Sequence, residues 1–223
     1  LAPAGEDKCR AVWGYPMVVT LGEAIFALPL IRAYSSRIGL HPIAYGYETA
    51  NGGTRRVVTR FCKSRSMLAL DYKSFDKTVP AWLVRAAFYV LEQNVDFLHY
   101  ESHGTSNIDG VLRQWRAIQE YFINTPIRLP NGERYIKNSG IASGSYFTQL
   151  IDSVVNALLI NYITLKVTGR FPDDYIVFGD DSLISHTGIT LYQFQSELEL
   201  FGMGLNLRKS RLAESVTDLD FLG

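Results

Sequence analysis

The sequence has little of what marks a disulfide scaffold or a metal finger. Its 223 residues include only two cysteines, Cys9 and Cys62, too few for a framework and without zinc-ligand spacing. Both are expected to be small buried residues in a reducing compartment. Net charge is lacking as well, since 22 Lys plus Arg balance 22 Asp plus Glu. That excludes a uniformly basic nucleic-acid coat and leaves room for a local basic groove. No unbroken apolar run reaches the roughly 18 residues of a membrane span. The longest apolar stretch, Val154 to Val167, is interrupted by Asn156, Asn161 and Lys166. Signal-peptide patterns, repeats, low-complexity tracts and Pro/Gly/Ser linkers are absent too. What the sequence does have is 47% apolar residues and 13% aromatics, ample for a core. It begins at Leu1 and stops within the apolar Phe221-Leu222-Gly223, so it reads as a fragment of something longer.

Patterning predicts a helix over Leu21 to Tyr34, kinked at Pro29, and an irregular stretch over 41–66. Met67 to Leu70 suits a buried strand, followed by an amphipathic helix over Pro80 to Leu98. A helix over Arg113 to Ile123 precedes a hairpin whose arms, 127–129 and 134–136, flank Pro130-Asn131-Gly132-Glu133. A long helix over Phe147 to Val167 follows, then strands 175–178 and 182–185 across Gly179-Asp180-Asp181. A helix over Leu191 to Phe201 and a strand near Leu205 to Leu207 complete the series. Without regular βαβ alternation the class is α+β, an antiparallel sheet with helices on one face.

Asp180 and Asp181 stand together after Gly179, between two short apolar runs. Adjacent carboxylates repel unless a positive charge joins them. Glycine lets the backbone turn tightly there. On a rigid strand platform such a pair suits divalent cations bound with phosphate substrates; taken alone, it also fits a solvated turn. Asp71 closes the apolar run 67–70, and Asp76 follows five residues later. That pair fits a metal-binding strand end or a helix N-cap region before Pro80. Ser143-Gly144-Ser145-Tyr146-Phe147-Thr148 leads into a helix carrying Asp152 and Asn156, which share one face at a spacing of four. Small residues there suit a loop against a sugar-phosphate backbone, or an ordinary Ser/Gly helix start. Between residues 49 and 70 stand Arg55, Arg56, Arg60, Lys63 and Arg65 with no acid, a candidate template path or a solvated basic loop.

In this order, Asp71-Tyr72-Lys73-Ser74-Phe75-Asp76, Ser143-Gly144 to Thr148, and Gly179-Asp180-Asp181 resemble motifs A, B and C of viral RNA-dependent RNA polymerases. Ser143 to Leu150 is most similar to the partitivirus group of double-stranded RNA viruses, with picobirnavirus polymerases the near alternative. Lys8-Cys9-Arg10-Ala11-Val12-Trp13 resembles motif F, Gly204 to Ser210 motif D, and Phe221-Leu222-Gly223 the start of motif E. The resemblance covers nearly the whole chain.

It implies a right-hand polymerase palm with part of the fingers and no thumb. Residues 1–66 would be a fingers segment, 67–98 palm, 99–138 a fingers insertion and 139–223 palm. It implies template-directed RNA synthesis by two-metal nucleotidyl transfer. Asp71 and Asp180 would ligate Mg2+, or Mn2+ in its stead, with Asp181 in support. Asp76 would read the ribose 2′-hydroxyl, and Ser143, Gly144 and Thr148 would belong to the loop that follows template and nascent pair. Lys8 and Arg10 would grip the triphosphate, as planar Arg and point-charge Lys can. Lys209 would protonate the leaving pyrophosphate, a role its neighbour Arg208 cannot readily fill. Implied partners are RNA template and product, nucleoside triphosphates and a viral capsid protein, with no membrane. The implied location is the virion interior or host cytoplasm.

One position departs from the family pattern. Many relatives carry Asn nine residues after the loop serine, paired with the second motif A aspartate. Here that residue is Asp152, which would repel an ionised Asp76. Asn156, one turn on, is the other candidate for the sugar role. Two rival functions remain: a reverse transcriptase on the same palm, and a non-catalytic RNA-binding remnant.

Overall fold

The computed structural model describes residues 13–219 and 221, apart from 101, 103 and 187. Cys9, Lys8 and Arg10 lie outside the described residues. The chain runs α1 (Met17–Ser36), a 3-10 turn (Thr49–Asn51), α2 (Gly53–Phe61), β1 (Met67–Leu70), α3 (Phe75–Thr78) and α4 (Ala81–Glu92). It continues through α5 (Ile108–Ile123), β2 (Pro126–Arg128), β3 (Arg134–Ile136), α6 (Thr148–Thr168), β4 (Asp174–Phe178) and β5 (Asp181–Ser185). The last elements are α7 (Leu191–Glu199), β6 (Arg211–Ala213) and a 3-10 turn (Val216–Asp218).

The main sheet has the order β4-β5-β1-β6, with all neighbours antiparallel. All four residues of β1 are buried, and the two-residue period of a strand sorts them. Leu68 and Leu70, with Val177 and Ile184, join the large core built by α1, α4, α5 and α6. Met67 and Ala69, with Ile176 and Leu183, meet Val57 and Phe61 of α2. The sheet is therefore covered on both faces, which corrects the one-face expectation.

The reason lies in α2, within the stretch expected to be irregular. Val57 and Phe61, four apart, turn to the sheet while Arg55 and Arg56 stay in water. Three arginines in nine residues conceal that short apolar stripe in the sequence. Cys62, directly after α2, is exposed rather than buried. The strand expected at 205–207 shrinks to one bridge, Tyr72 to Leu205, and Arg211–Ala213 pairs with β1 in its place. Helix α4 ends at Glu92, short of Leu98, and α5 begins at Ile108, capped by the Asn107 side chain. Pro29 lies within α1 without ending it.

Helix α6 is the core helix. It packs against α4, α7 and β4, with ten residues buried. By length and composition α1 and α6 would both pass as membrane spans. In this fold α6 fills the interior, and α1 turns Glu23, Phe26, Ala27 and Leu30 inward.

Candidate active site

Helix α6 forms the floor beneath the β4–β5 turn. Ser153 Oγ accepts from the Gly179 N–H at 2.8 Å and donates to the Gln149 carbonyl at 2.7 Å. Asn156 is fully buried. Its amide nitrogen faces the carbonyls of Gly179, Asp180 and Asp181 at 3.0, 3.1 and 3.3 Å. Its Oδ1 accepts the Tyr72 hydroxyl at 2.9 Å. An amide offers two hydrogens, and the turn carbonyls use both. In this arrangement Asn156 anchors the β4–β5 turn, with both amide hydrogens directed to its carbonyls. Gly179 sits at φ 66°, and a Cβ there would come within 2.8 Å of Gln149 Nε2. The positive φ calls for glycine, while the Gln149 amide could shift to admit a Cβ.

Above that floor the pairing of Leu70 with Ser182 sets Asp71 beside Asp181, where β1 and β5 leave the sheet. Burial, then Asp180 and Asp71, push the Asp181 carboxyl up to about 6. The Asp71 backbone is held by residues 206–210. Its N–H donates to Ser210 Oγ at 3.0 Å, and its carbonyl accepts the Asn206 N–H at 2.7 Å. Lys209 is exposed in that same turn, its N–H donating to the Asn206 carbonyl at 2.9 Å.

Asp152, one turn before Asn156, is partly buried, and among the described residues its Oδ1 has no hydrogen-bond partner. Burial, then Asp180 and Asp76, hold its carboxyl well above the usual carboxylate range. Asp76 is exposed at the start of α3, beyond a sharp turn at Ser74 (φ 55°). Its carbonyl accepts the Ile141 N–H at 2.6 Å, tying motif A to the loop that contains Ser143. Lys137 Nζ donates to the Gly140 carbonyl at 2.7 Å, and burial pushes this amine down to about 8. Thr148 Oγ1 donates to the Ala142 carbonyl at 2.8 Å and so closes the loop on itself. The Ser143 carbonyl accepts the Trp13 N–H at 3.0 Å. Gly144, at φ 132°, lies so close that a Cβ would stand 2.3 Å from the Trp13 carbonyl.

Thus Asp71, Asp180, Asp181, Asp152 and Asp76 share one electrostatic neighbourhood, bordered by the Ser143–Thr148 loop. Sequence reasoning missed Tyr72, Ser153, Ser210 and Lys137 as supports. Tyr72 lies within the motif A text, but nothing local shows that its hydroxyl meets Asn156.

A family profile of viral RNA-dependent RNA polymerases matches residues 4–223. The chain belongs to this family. It is 27% identical over 242 residues to the RNA-directed RNA polymerase of White clover cryptic virus 1, covering 97% of this chain and 39% of that protein. It is 32% identical over 216 residues to the RNA-directed RNA polymerase of Cryptosporidium parvum virus 1, covering 93% of this chain and 38% of that protein. The insertion-loop deletion mutant of the RNA-dependent RNA polymerase of a human picobirnavirus has the same fold at a TM-score of 0.76 and 20% identity, over 92% of this chain and 38% of that one. The chain therefore spans 38–39% of the length of these two curated relatives.

Polymerases of this family use divalent metals. Among the described residues, no three carboxylate, imidazole or thiolate groups converge on one point at ligand distance. The donor chemistry nonetheless fits: the carboxylates of Asp71, Asp180 and Asp181 are near enough for the first two to raise the third. Hard oxygen donors whose charges repel are matched by a hard divalent cation. The basic stretch lies elsewhere. Arg60 is committed to Asp174 through two hydrogen bonds of 2.7 and 2.6 Å. Arg55 and Arg56 line an open cleft of about 870 Å³ beside Asp174, at the far end of β4 from the β4–β5 turn.

Proposed function

We propose that this chain is the catalytic core of a viral RNA-directed RNA polymerase, which extends RNA on an RNA template from nucleoside triphosphates. The observation that carries this reading is the meeting of Asp71 with the Asp180-Asp181 turn at one end of the sheet, in a chain of this family. Residues 67–98 and 139–223 serve as palm, since they supply every strand of the main sheet. Residues 1–66 and 99–138 serve as fingers.

Asp71, Asp180 and Asp181 would hold divalent cations, Mg2+ first and Mn2+ as its substitute. When bound, these supply activation of the 3′-hydroxyl and neutralisation of the pyrophosphate. The residues themselves position and neutralise charge. The β4–β5 turn, braced by Ser153 and Asn156, presents its carboxylates without reorganisation. Asp76 accepts from the ribose 2′-hydroxyl of the incoming nucleotide, with Asp152 beside it. Ser143 and Gly144 approach the nascent pair from the loop, Lys8 and Arg10 hold the triphosphate, and Lys209 donates a proton to the departing pyrophosphate. Partners are RNA, nucleoside triphosphates and a viral capsid protein, and the work is done in the virion or host cytoplasm.

The test is Mg2+-dependent incorporation of labelled ribonucleotides on a defined RNA template, by this chain and by the full-length polymerase containing it. Template-length RNA product is expected. Equal incorporation of deoxynucleotides would identify a reverse transcriptase. RNA binding with no incorporation by the full-length protein would identify a non-catalytic remnant.

A further inference from the structure

Glu23 is an acid buried in the apolar face of α1, at 0% exposure. Among the described residues no cation pairs with it; the titratable groups that sense its charge are the hydroxyls of Tyr15 and Tyr121. Burial lifts its carboxyl above the usual range, and two hydrogen bonds work against that lift. Oε1 accepts the Ser145 hydroxyl at 2.8 Å, and Oε2 accepts the Tyr146 N–H at 3.0 Å. Ser145 Oγ in turn accepts the Phe147 N–H at 2.9 Å.

These contacts lie at the start of α6, whose N-cap residue Phe147 supplies no capping side chain. The first turn of a helix leaves N–H groups without partners and carries partial positive charge. The Glu23 carboxylate places negative charge beside this helix start and accepts the Tyr146 N–H just ahead of the N-cap, and charge-assisted hydrogen bonds are stronger than neutral ones. This accounts for an acid in a stripe that otherwise reads Phe26, Ala27, Leu30.

We propose that Glu23 is a positioning residue for the Ser143–Phe147 loop, setting from α1 the place at which Ser143 and Gly144 stand over the catalytic carboxylates. The loop is then held from both sides. Lys137 and the Asp76 carbonyl hold Gly140 and Ile141 just ahead of it, the Trp13 backbone holds Ser143 at its start, and Glu23 holds Ser145 and Tyr146 towards its end. The functional half of this proposal rests on the polymerase reading; the structural half does not.

The experiment compares Glu23→Ala, Glu23→Gln and wild type by hydrogen exchange of the 143–147 peptide. Glutamine keeps an acceptor for the Tyr146 N–H and offers a donor to Ser145 Oγ; alanine keeps neither. Glu23→Ala is expected to speed exchange in this peptide about tenfold or more, with β4–β5 peptides unchanged, and Glu23→Gln to stay within about threefold of wild type. In polymerase that is active as wild type, Glu23→Ala should lower the single-turnover rate about tenfold, with Glu23→Gln restoring it. If Glu23→Ala fails to fold, Ser145→Ala decides at the Tyr146 N–H, which Glu23 accepts: faster exchange there supports the tether and unchanged exchange overturns it. Unchanged loop exchange in the folded variant overturns the proposal, as does equal damage from Gln and Ala. Wild type that makes no RNA while loop exchange responds as stated sinks the polymerase reading and leaves the tether standing.

Discussion

The Tyr72 hydroxyl donates to Asn156 Oδ1 at 2.9 Å across 84 residues of sequence, and this bond couples the segment after β1 to the β4–β5 turn. Through the Asn156 amide, a residue just past β1 supports the carbonyls of Gly179, Asp180 and Asp181. Tyr72→Phe leaves a buried acceptor without its donor and should lower stability by about 1–3 kcal/mol. Asn156→Ala should lower it further, and the two losses should not add, because both variants break the same bond. Thermal melting of both variants and the double variant measures this. Selectivity for ribo- over deoxynucleotides should be unchanged in Asn156→Ala if it acts as turn anchor; a selective loss there would assign it the sugar role.

Asp71→Asn and Asp180→Asn should each abolish incorporation while the fold persists. Each removes a carboxylate that raises the Asp181 carboxyl, so melting in chelator should occur at the same temperature or higher. Stabilisation by added Mg2+ should shrink in both. Wild-type incorporation by either variant would end the metal assignment.

The pH response follows from the sign of the Asp181 shift. Its native carboxyl titrates near 6, above the ordinary 3.8. The native state thus binds the proton more tightly than the unfolded chain does. Its contribution to stability is full below about 3.8 and fades as pH rises through about 6. Asp152, raised by burial and by Asp180 and Asp76, acts in the same sense. In chelator, the difference in melting temperature between wild type and Asp181→Asn should therefore grow from pH 4 to pH 7, with wild type the less stable. Saturating Mg2+ should reduce that difference by binding the ionised form. A pH-independent difference would refute the coupling.

Asp152→Asn should replace the carboxylate by a neutral amide and quiet the repulsion with Asp180 and Asp76. Preserved preference for ribonucleotides is expected. Asp76→Ala should lose a ribose hydrogen bond, lowering that preference roughly 5- to 150-fold. Competitive incorporation reads both. Equal preference in both variants and wild type would show that the 2′-hydroxyl is read by other residues.

Lys209→Leu should slow nucleotide addition about 10²- to 10⁴-fold, the usual worth of a general acid. The side chain is exposed on a turn docked to Asp71, so folding should be unaffected. Single-turnover rate and nucleotide affinity separate the possibilities. Lost affinity with a surviving rate would make Lys209 a phosphate binder instead.

The sequence by itself determined the parts whose causes are local. Apolar periodicity marks α4, α5 and α6, and Pro130-Asn131-Gly132-Glu133 marks the hairpin turn, where Gly132 adopts φ 90°. The order of Asp71, the Ser143 loop and Gly179-Asp180-Asp181 already names the family. The tertiary structure alone decided the parts that depend on distant partners. Helix α2 covers the second sheet face because Val57 and Phe61 find Met67, Ile176 and Leu183 there. A nine-residue helix with three arginines has too short an apolar stripe to announce this. The edge strand falls at 211–213 rather than 205–207 because residues 206–210 are occupied in docking on the Asp71 backbone. Asn156 and Glu23 serve the site through hydrogen bonds spanning 84 and 122 residues. A buried polar group needs its partner in space, and the fold supplies that partner wherever the chain happens to pass.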